Sequence, residues 1–168
     1  MLKKNNNKLN IKEVDAFFFD FDGVLTNNLV TINENGTESV TCNRSDGLGF
    51  NYLNNISKNV YIISSEKNNI VSKRAKKLNV KCYHGVENKL KTVIWLSKKK
   101  NIDLNKSVFV GNDLNDYDAM KNCKIKVCPK DSHKKIISIS NYKLKKRGGE
   151  GIVIELIESV FKEKLNII

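Results

Sequence analysis

The sequence is poor in the residues that punctuate, cross-link or anchor a chain. Pro129 is its only proline and Trp95 its only tryptophan in 168 residues, which excludes a proline-rich linker or scaffold. The four cysteines, Cys42, Cys82, Cys123 and Cys128, form no C-x-x-C pair. A close-spaced zinc or redox motif is therefore excluded, and reduced, mostly buried thiols are expected. No apolar run reaches the roughly 18–20 residues that span a bilayer; the Ala16–Phe19 run is short and ends in acids. Residues 1–10, lysine and asparagine without an apolar core, read as a frayed basic tail with no secretory leader, so a cytoplasmic protein is expected by default.

Arginine is scarce as well. Of the thirty basic residues only Arg44, Arg74 and Arg147 are arginine. The net charge of +12 raises the question of nucleic acid, because clustered cations neutralise backbone phosphates. Here the lysines are scattered among asparagines over nearly every segment and are not interleaved with aromatics. That pattern predicts a solvated lysine surface that draws in small anions, with no nucleic-acid and no membrane partner. The length suits one domain over residues 11–168, able to bury roughly two-thirds of its unfolded surface without a staple.

What is present is organised around Phe17-Phe18-Phe19-Asp20-Phe21-Asp22-Gly23-Val24-Leu25-Thr26. An apolar run that stops at two acids and a glycine predicts a central strand of a parallel sheet, buried on both faces. Leu29–Ile32 and Thr37–Thr41 flank Asn33-Glu34-Asn35-Gly36, and Asn-Gly between β-rich runs predicts a projecting hairpin flap. Ser45 or Asp46 can cap a helix whose apolar positions are Leu48, Tyr52, Leu53 and Ile56. Strands are expected over 60–63, 80–84, 107–110 and 124–128, and helices over roughly 68–78 and 87–100. Another helix is expected after Asp116, and an amphipathic one from Ile152 to about Leu165. Strands alternating with helices imply right-handed crossovers and a doubly wound α/β sheet.

Polar residues stand at the carboxyl ends of four successive predicted strands: Asp20 and Asp22, then Ser64, then Lys89 just past the third, then Asn112 to Asp116. In a parallel sheet these ends share one edge, so they converge on one crevice. Taken singly, Asp20 and Asp22 could merely cap a turn, Ser64 a strand end, and Lys89 could be a solvated lysine. Together they suit phosphoryl transfer: one carboxylate to attack phosphorus, a second as acid and base, and a lysine, a hydroxyl and Mg²⁺ to balance the phosphoryl charge.

Asp20-Phe21-Asp22-Gly23-Val24-Leu25-Thr26, Ser64, Lys89 and Gly111-Asn112-Asp113-Leu114-Asn115-Asp116 resemble, in order and spacing, the four motifs of the haloacid dehalogenase superfamily of phosphatases. The likeness covers nearly all of residues 14–157. It is greatest to the small branch acting on phosphorylated 2-keto-3-deoxy sugar acids, to which the flap, Ser45-Asp46 and Lys146-Arg147-Gly148-Gly149-Glu150-Gly151 also correspond. The resemblance implies that Asp20 is nucleophile and metal ligand, and that Asp22 is the general acid and base and lends its carbonyl to Mg²⁺. Ser64 and Lys89 would bind the phosphoryl group, and Asp116 would orient Lys89 or a metal-bound water. Where the family usually has Gly-Asp-Asp, this chain has Asn112, so either Asn112 or Asp113 is the remaining metal ligand.

The intervals between motifs hold no cap domain, only the flap and single helices. The resemblance implies instead a homotetramer in which subunits cover each other's sites, with the flap as the contact. In the branch acting on the eight-carbon acid the second motif usually continues Gly-Arg; here it is Ser65-Glu66. That departure, with Ser45-Asp46 and Gly-Gly-Glu-Gly, is more similar to the nine-carbon, sialic-acid-type branch. Arg74 and Lys77 match basic residues that this branch offers to the substrate carboxylate from a neighbouring subunit. The expectation is a Mg²⁺-dependent nonulosonate 9-phosphate phosphatase. The alternatives are a 3-deoxy-manno-octulosonate 8-phosphate phosphatase and a non-catalytic oligomerisation module like those fused to sugar-acid cytidylyltransferases. A phospho-receiver places its aspartate after the third strand instead. His84 and His133 are expected to be structural.

Overall fold

A computed structural model of the chain describes residues 9–165; most of the expected tail, residues 1–8, lies outside the described residues. Asn10 already belongs to the fold, its side chain capping a short 3₁₀ turn over Ile11–Glu13 by accepting from Lys12 N. The elements that follow are β1 (Ala16–Phe19), β2 (Thr26–Ile32), β3 (Glu38–Cys42), α1 (Asp46–Asn55), β4 (Asn59–Ile63), α2 (Ile70–Lys77) and β5 (Lys81–Tyr83). The second half runs α3 (Lys89–Lys100), β6 (Ser107–Val110), α4 (Tyr117–Asn122), β7 (Ile125–Cys128), α5 (Lys134–Ile139), β8 (Tyr142–Lys143) and α6 (Ile152–Glu155). Six strands form one sheet in the order β5-β4-β1-β6-β7-β8, and every pairing in it is parallel.

β1 is central because its side chains can be buried on both sides. Phe17 and Phe19 point into one core with Phe50, Val71, Ala75, Val153 and Phe161, under α1, α2 and α6. Phe18, on the opposite face by the alternation of a strand, joins Tyr61, Val93, Leu96, Phe109 and Met120 under α3 and α4. Edge-on and offset aromatic pairs knit both layers: Phe19 with Phe50 at 5.1 Å, and Phe18 with Tyr61 at 5.6 Å, between ring centroids. The chain winds outward from β1 through β4 to β5, then returns to β6 and winds the other way to β8. The strand order therefore reverses at β1, and the crevice beyond its carboxyl end is the place where such sheets bind ligands.

Two helices differ from expectation, each for a packing reason. Leu48 does not face inward; it is 63% exposed, and Asp46, Gly49, Phe50 and Leu53 form the inner stripe of α1. The phase is set by Gly49, where a Cβ would lie 2.7 Å from Val153 Cγ1, so only glycine lets α1 and α6 approach this closely. The expected long terminal helix is a short α6 followed by a π-turn over Leu156–Val160. Its buried residues are Ile152, Val153, Leu156, Ile157, Val160 and Phe161, an apolar repeat of four. A repeat of four drifts off the face of a helix with 3.6 residues per turn, and one wide turn brings it back into phase. The Phe161 N–H closes that turn on Leu156 O, and its ring packs edge-on against Phe17 at 5.7 Å.

β2 and β3 form a separate two-stranded antiparallel sheet. The turn forms at the expected Asn33–Gly36, where Gly36 N donates to Asn33 O. Leu29 and Ile32 on this flap are each 69% exposed. α5 and β8 form in a stretch where no element was expected, and His133 caps α5 by accepting from Lys135 N.

Candidate active site

The loop after β1 is held open by a chain of short bonds. Phe21 N donates to Asp20 Oδ1 at 2.7 Å, Gly23 N donates to Thr26 Oγ1 at 3.2 Å, and Thr26 Oγ1 donates to Asp22 Oδ1 at 3.3 Å. Asp20 is buried and Asp22 half-buried beside it. Lys89, the first residue of α3, is only 3% exposed. Its ammonium lies 2.6 Å from Asp20 Oδ1 and 2.7 Å from Asp116 Oδ1. A cation buried at a helix N-terminus is unfavourable by itself; the two carboxylates offset it. The other oxygen of Asp116 accepts from Asn112 N at 2.9 Å and Asp113 N at 3.2 Å, so one buried carboxylate fixes both Lys89 and the loop after β6. Ser64, buried at the end of β4, accepts from Glu66 N at 3.1 Å. That leaves its hydroxyl proton free for a ligand oxygen.

These residues surround a cavity of about 80 Å³ lined by Asp20, Asp22, Ser64, Asn112 and Asp113, together with Ser65, Asn28 and Asn115. Larger hollows lie elsewhere, one of about 500 Å³ near Val14 and Lys106, but it carries no such constellation. Asn28 and Asn115 were not singled out from the sequence. Asn115 Nδ2 donates to Ser65 Oγ at 2.9 Å, tying the loops after β4 and β6 together across the cavity. A signal for Asn115 was present, since it lies inside the fourth motif; for Asn28, in the left-handed region at φ 63°, only the turn after Asp22 hinted.

Electrostatics divides the two acids. Burial raises the Asp20 carboxyl to about 8, with Asp116 adding to the rise and Lys89 opposing it. Two carboxylates thus share one ammonium in a dry site that is short of positive charge. Asp22 is also raised, first by burial and then by the neighbouring charge of Glu66, against Thr26 and Lys89. A carboxyl held protonated above its ordinary range suits proton donation to a leaving group. Lys89 is raised because the pull of Asp20 and Asp116 outweighs burial, which works to lower it.

The donor set fits a hard divalent cation. The Asn112 Oδ1 position faces Asp20 Oδ2 at 3.1 Å and the Asp22 carbonyl oxygen at 2.9 Å. With Oδ1 turned inward the amide, Asp20 Oδ2 and the Asp22 carbonyl make a set of three oxygens that a cation would bridge. Among the described residues no three His, Cys, Asp or Glu side chains gather as a metal set; a carbonyl and an amide complete this one. Asp113 is turned away, its Oδ1 capping the next 3₁₀ turn by accepting from Leu114 N at 2.7 Å.

The outer residues divide. Glu66 stands beside Asp22, its Oε1 accepting from Asn68 N at 2.7 Å. Arg74 does not reach the cavity; it donates to Asn43 O at 2.9 Å and so ties the exit of the flap to α2. Lys77 is exposed on α2. The glycine loop buttresses the loop after β1. Gly149 N donates to Val24 O at 3.0 Å, and a Cβ at Gly148 would lie 2.2 Å from Gly23 O. That loop is in turn clamped by buried Glu155, whose two oxygens accept from Lys145 N at 2.7 Å and Lys146 N at 2.9 Å. Neither the clamp nor its register was expected from sequence. The four cysteines are free, and burial pushes the Cys123 thiol up to about 12.

Sheet and crevice together define a doubly wound α/β hydrolase of phosphate esters with no cap domain. A family model described as haloacid dehalogenase-like hydrolase matches residues 48–156, and the chain belongs to that family. Over 148 residues it is 30% identical to the 3-deoxy-D-manno-octulosonate 8-phosphate phosphatase of Escherichia coli K12, covering 88% of this chain and 79% of that one. The crystal structure of the Moraxella catarrhalis enzyme of the same name, in complex with a magnesium ion, a phosphate ion and a KDO molecule, superposes with a TM-score of 0.85. It is 30% identical and covers 90% of this chain and 87% of that one. A HAD-family hydrolase from Streptomyces avermitilis superposes with a TM-score of 0.89 at 28% identity, over 94% and 90% of the two chains. The protein is a phosphatase of the capless sugar-acid branch.

Proposed function

We propose that the chain hydrolyses the terminal phosphate of a 2-keto-3-deoxy sugar acid through an aspartyl phosphate, with Mg²⁺ as cofactor. The observation that carries this is the convergence of Lys89, Asp116, Asn112 and Ser64 on Asp20 around one small polar cavity. A carboxylate oxygen of Asp20 attacks phosphorus; the bond to the sugar oxygen breaks, and Asp22 delivers its proton to that oxygen. Asp22, now a carboxylate, takes a proton from water, which attacks the aspartyl phosphate and releases inorganic phosphate with Asp20 restored. Lys89 and the Ser64 hydroxyl hold the phosphoryl oxygens, and Asp116 keeps Lys89 in place. Asp20 Oδ2, the Asp22 carbonyl and Asn112 Oδ1 would hold Mg²⁺, which supplies positive charge against the phosphoryl oxygens.

The substrate we favour is a nonulosonic, sialic-acid-type 9-phosphate. Support comes from Glu66, a carboxylate outside the small cavity whose charge reaches Asp22, which suits hydroxyl or amide donors on a longer sugar acid. A second reading, 3-deoxy-manno-octulosonate 8-phosphate, is favoured by the relatives named above. In either case neighbouring subunits close the uncapped crevice, the exposed apolar flap serving as contact and Arg74 and Lys77 lying near that junction, in a cytoplasmic tetramer. The test is a side-by-side assay of both phosphates with and without Mg²⁺. Turnover should require the cation and favour the nine-carbon substrate, and Glu66→Ala should reduce that preference while sparing a small generic phosphate ester. Preference for the eight-carbon substrate would transfer the assignment to the second reading, and turnover of neither would sink both.

A further inference from the structure

The inner end of the Asn112 amide finds hydrogen-bond partners in one orientation only, with Nδ2 inward. In the other its Oδ1 joins Asp20 Oδ2 and the Asp22 carbonyl as a third bare oxygen. Turned by half a rotation, the same position carries Nδ2, which donates to Asp20 Oδ2 at 3.1 Å and to the Asp22 carbonyl at 2.9 Å. The other end of the amide lies over Gly23, where a Cβ would be 1.9 Å from Nδ2. The missing Cβ at Gly23 leaves room for the amide to turn there. Asn112 and Asp20 are both buried, 8% and 4% exposed, so little water is available to satisfy three converging oxygens.

We propose that the Asn112 amide is a built-in stand-in for the cation: with the site empty it turns Nδ2 inward and bridges Asp20 to the Asp22 carbonyl, and it turns Oδ1 inward when the cation enters. The proposal rests on the Mg²⁺ reading of the site. An ionised aspartate at 112 has no proton to offer and adds negative charge beside Asp20 and Asp116, whereas the amide satisfies the empty site without a change of protonation. The consequence is a catalytic loop that keeps its geometry without metal, and a cation that must displace two hydrogen bonds, one of them to a carboxylate. Displacing them weakens binding by roughly ten- to a hundredfold.

The experiment compares the intact protein with Asn112→Asp, both stripped with EDTA and titrated with MgCl₂ alone. Thermal melting and the side-chain amide ¹⁵N–¹H signals are the readouts, the Asn112 pair being identified by its absence from the variant. Without Mg²⁺, the wild-type Asn112 amide protons should be protected from exchange, and the variant should melt at lower temperature. Added Mg²⁺ should abolish that protection, raise the melting temperature of Asn112→Asp by more than that of the wild type, and bind the variant at least about tenfold more tightly. Unprotected Asn112 protons in the stripped protein, or equal melting and equal Mg²⁺ affinity in both proteins, would overturn the proposal. Absence of Mg²⁺ binding to either protein would instead sink the metal reading, with the amide bridge still judged by protection in the stripped state.

Discussion

At the scale of single residues the site divides its labour by environment. Asp20 and Asp22 are two positions apart on one loop, yet one is locked against Lys89 and the other faces Thr26 and the rim. Asp22→Asn should therefore lower turnover of a sugar-acid phosphate by about 10²–10⁴-fold, because the alkoxide leaves without a proton. On p-nitrophenyl phosphate, whose leaving group needs none, formation of the aspartyl phosphate should survive and only its hydrolysis should slow, giving a burst of p-nitrophenolate; pre-steady-state kinetics on the two substrates checks this. Asp46 does a different job. Its Oδ1 accepts from Val153 N at 2.8 Å at the start of α6, while its buried Oδ2 has no partner. Burial raises this carboxyl from 3.8 to about 6, against the Val153 N–H and the charges of Arg74 and Lys146. The folded state thus holds the proton more tightly than the unfolded one. The stability Asp46 contributes is complete below about pH 4 and is lost as pH rises through about 6, amounting to about 3 kcal/mol. Asp46→Asn keeps the acceptor for Val153 and should remove that part of the decline, so the two melting curves converge in acid and separate above pH 6.

At the scale of elements, the glycine loop transmits the position of one end of the sheet to the catalytic loop. Glu155 accepts from two consecutive backbone N–H groups, and the next residues lie against Gly23 and Val24 so closely that Gly148 admits no side chain. Glu155→Gln turns one of those acceptors into a donor facing an N–H. It should cost about 2–3 kcal/mol, lowering the melting temperature by roughly 5–10 °C. If the clamp positions Asp22, kcat measured well below melting should fall with it while KM changes little. An unchanged kcat would make Glu155 a scaffold residue only.

For the whole molecule, the open crevice and the bare flap belong together. Leu29, Val30 and Ile32 are exposed on a two-stranded sheet that meets the body through Val40 and an Asn68–Glu38 hydrogen bond, leaving an apolar face bare in an isolated subunit. Replacing all three by serine should leave the secondary structure intact, lower the mass measured by light scattering and reduce activity on the sugar-acid phosphate. An unchanged mass would remove the flap from the contact. No helix among the described residues is long and apolar enough to cross a membrane, and the scattered lysines leave the +12 charge as a diffuse field that favours anionic substrates.

How much of this was legible in the chain follows from the range of the forces involved. The sheet, its strand ends and the residues Asp20, Asp22, Ser64, Lys89 and Asp116 could be read directly, because hydrophobic runs and their stopping points are local and a parallel sheet has one edge on which such ends must meet. The inward face of α1, the π-turn after α6, the Glu155 clamp and the Asn115–Ser65 tie could not. Each depends on the distance between segments far apart in sequence, such as Gly49 against Val153 or Gly148 against Gly23. Sequence by itself determined which chemistry the protein carries. Tertiary structure alone decided that Asn112, and not Asp113, faces Asp20, since that choice belongs to a cap on Leu114 and a missing Cβ at Gly23.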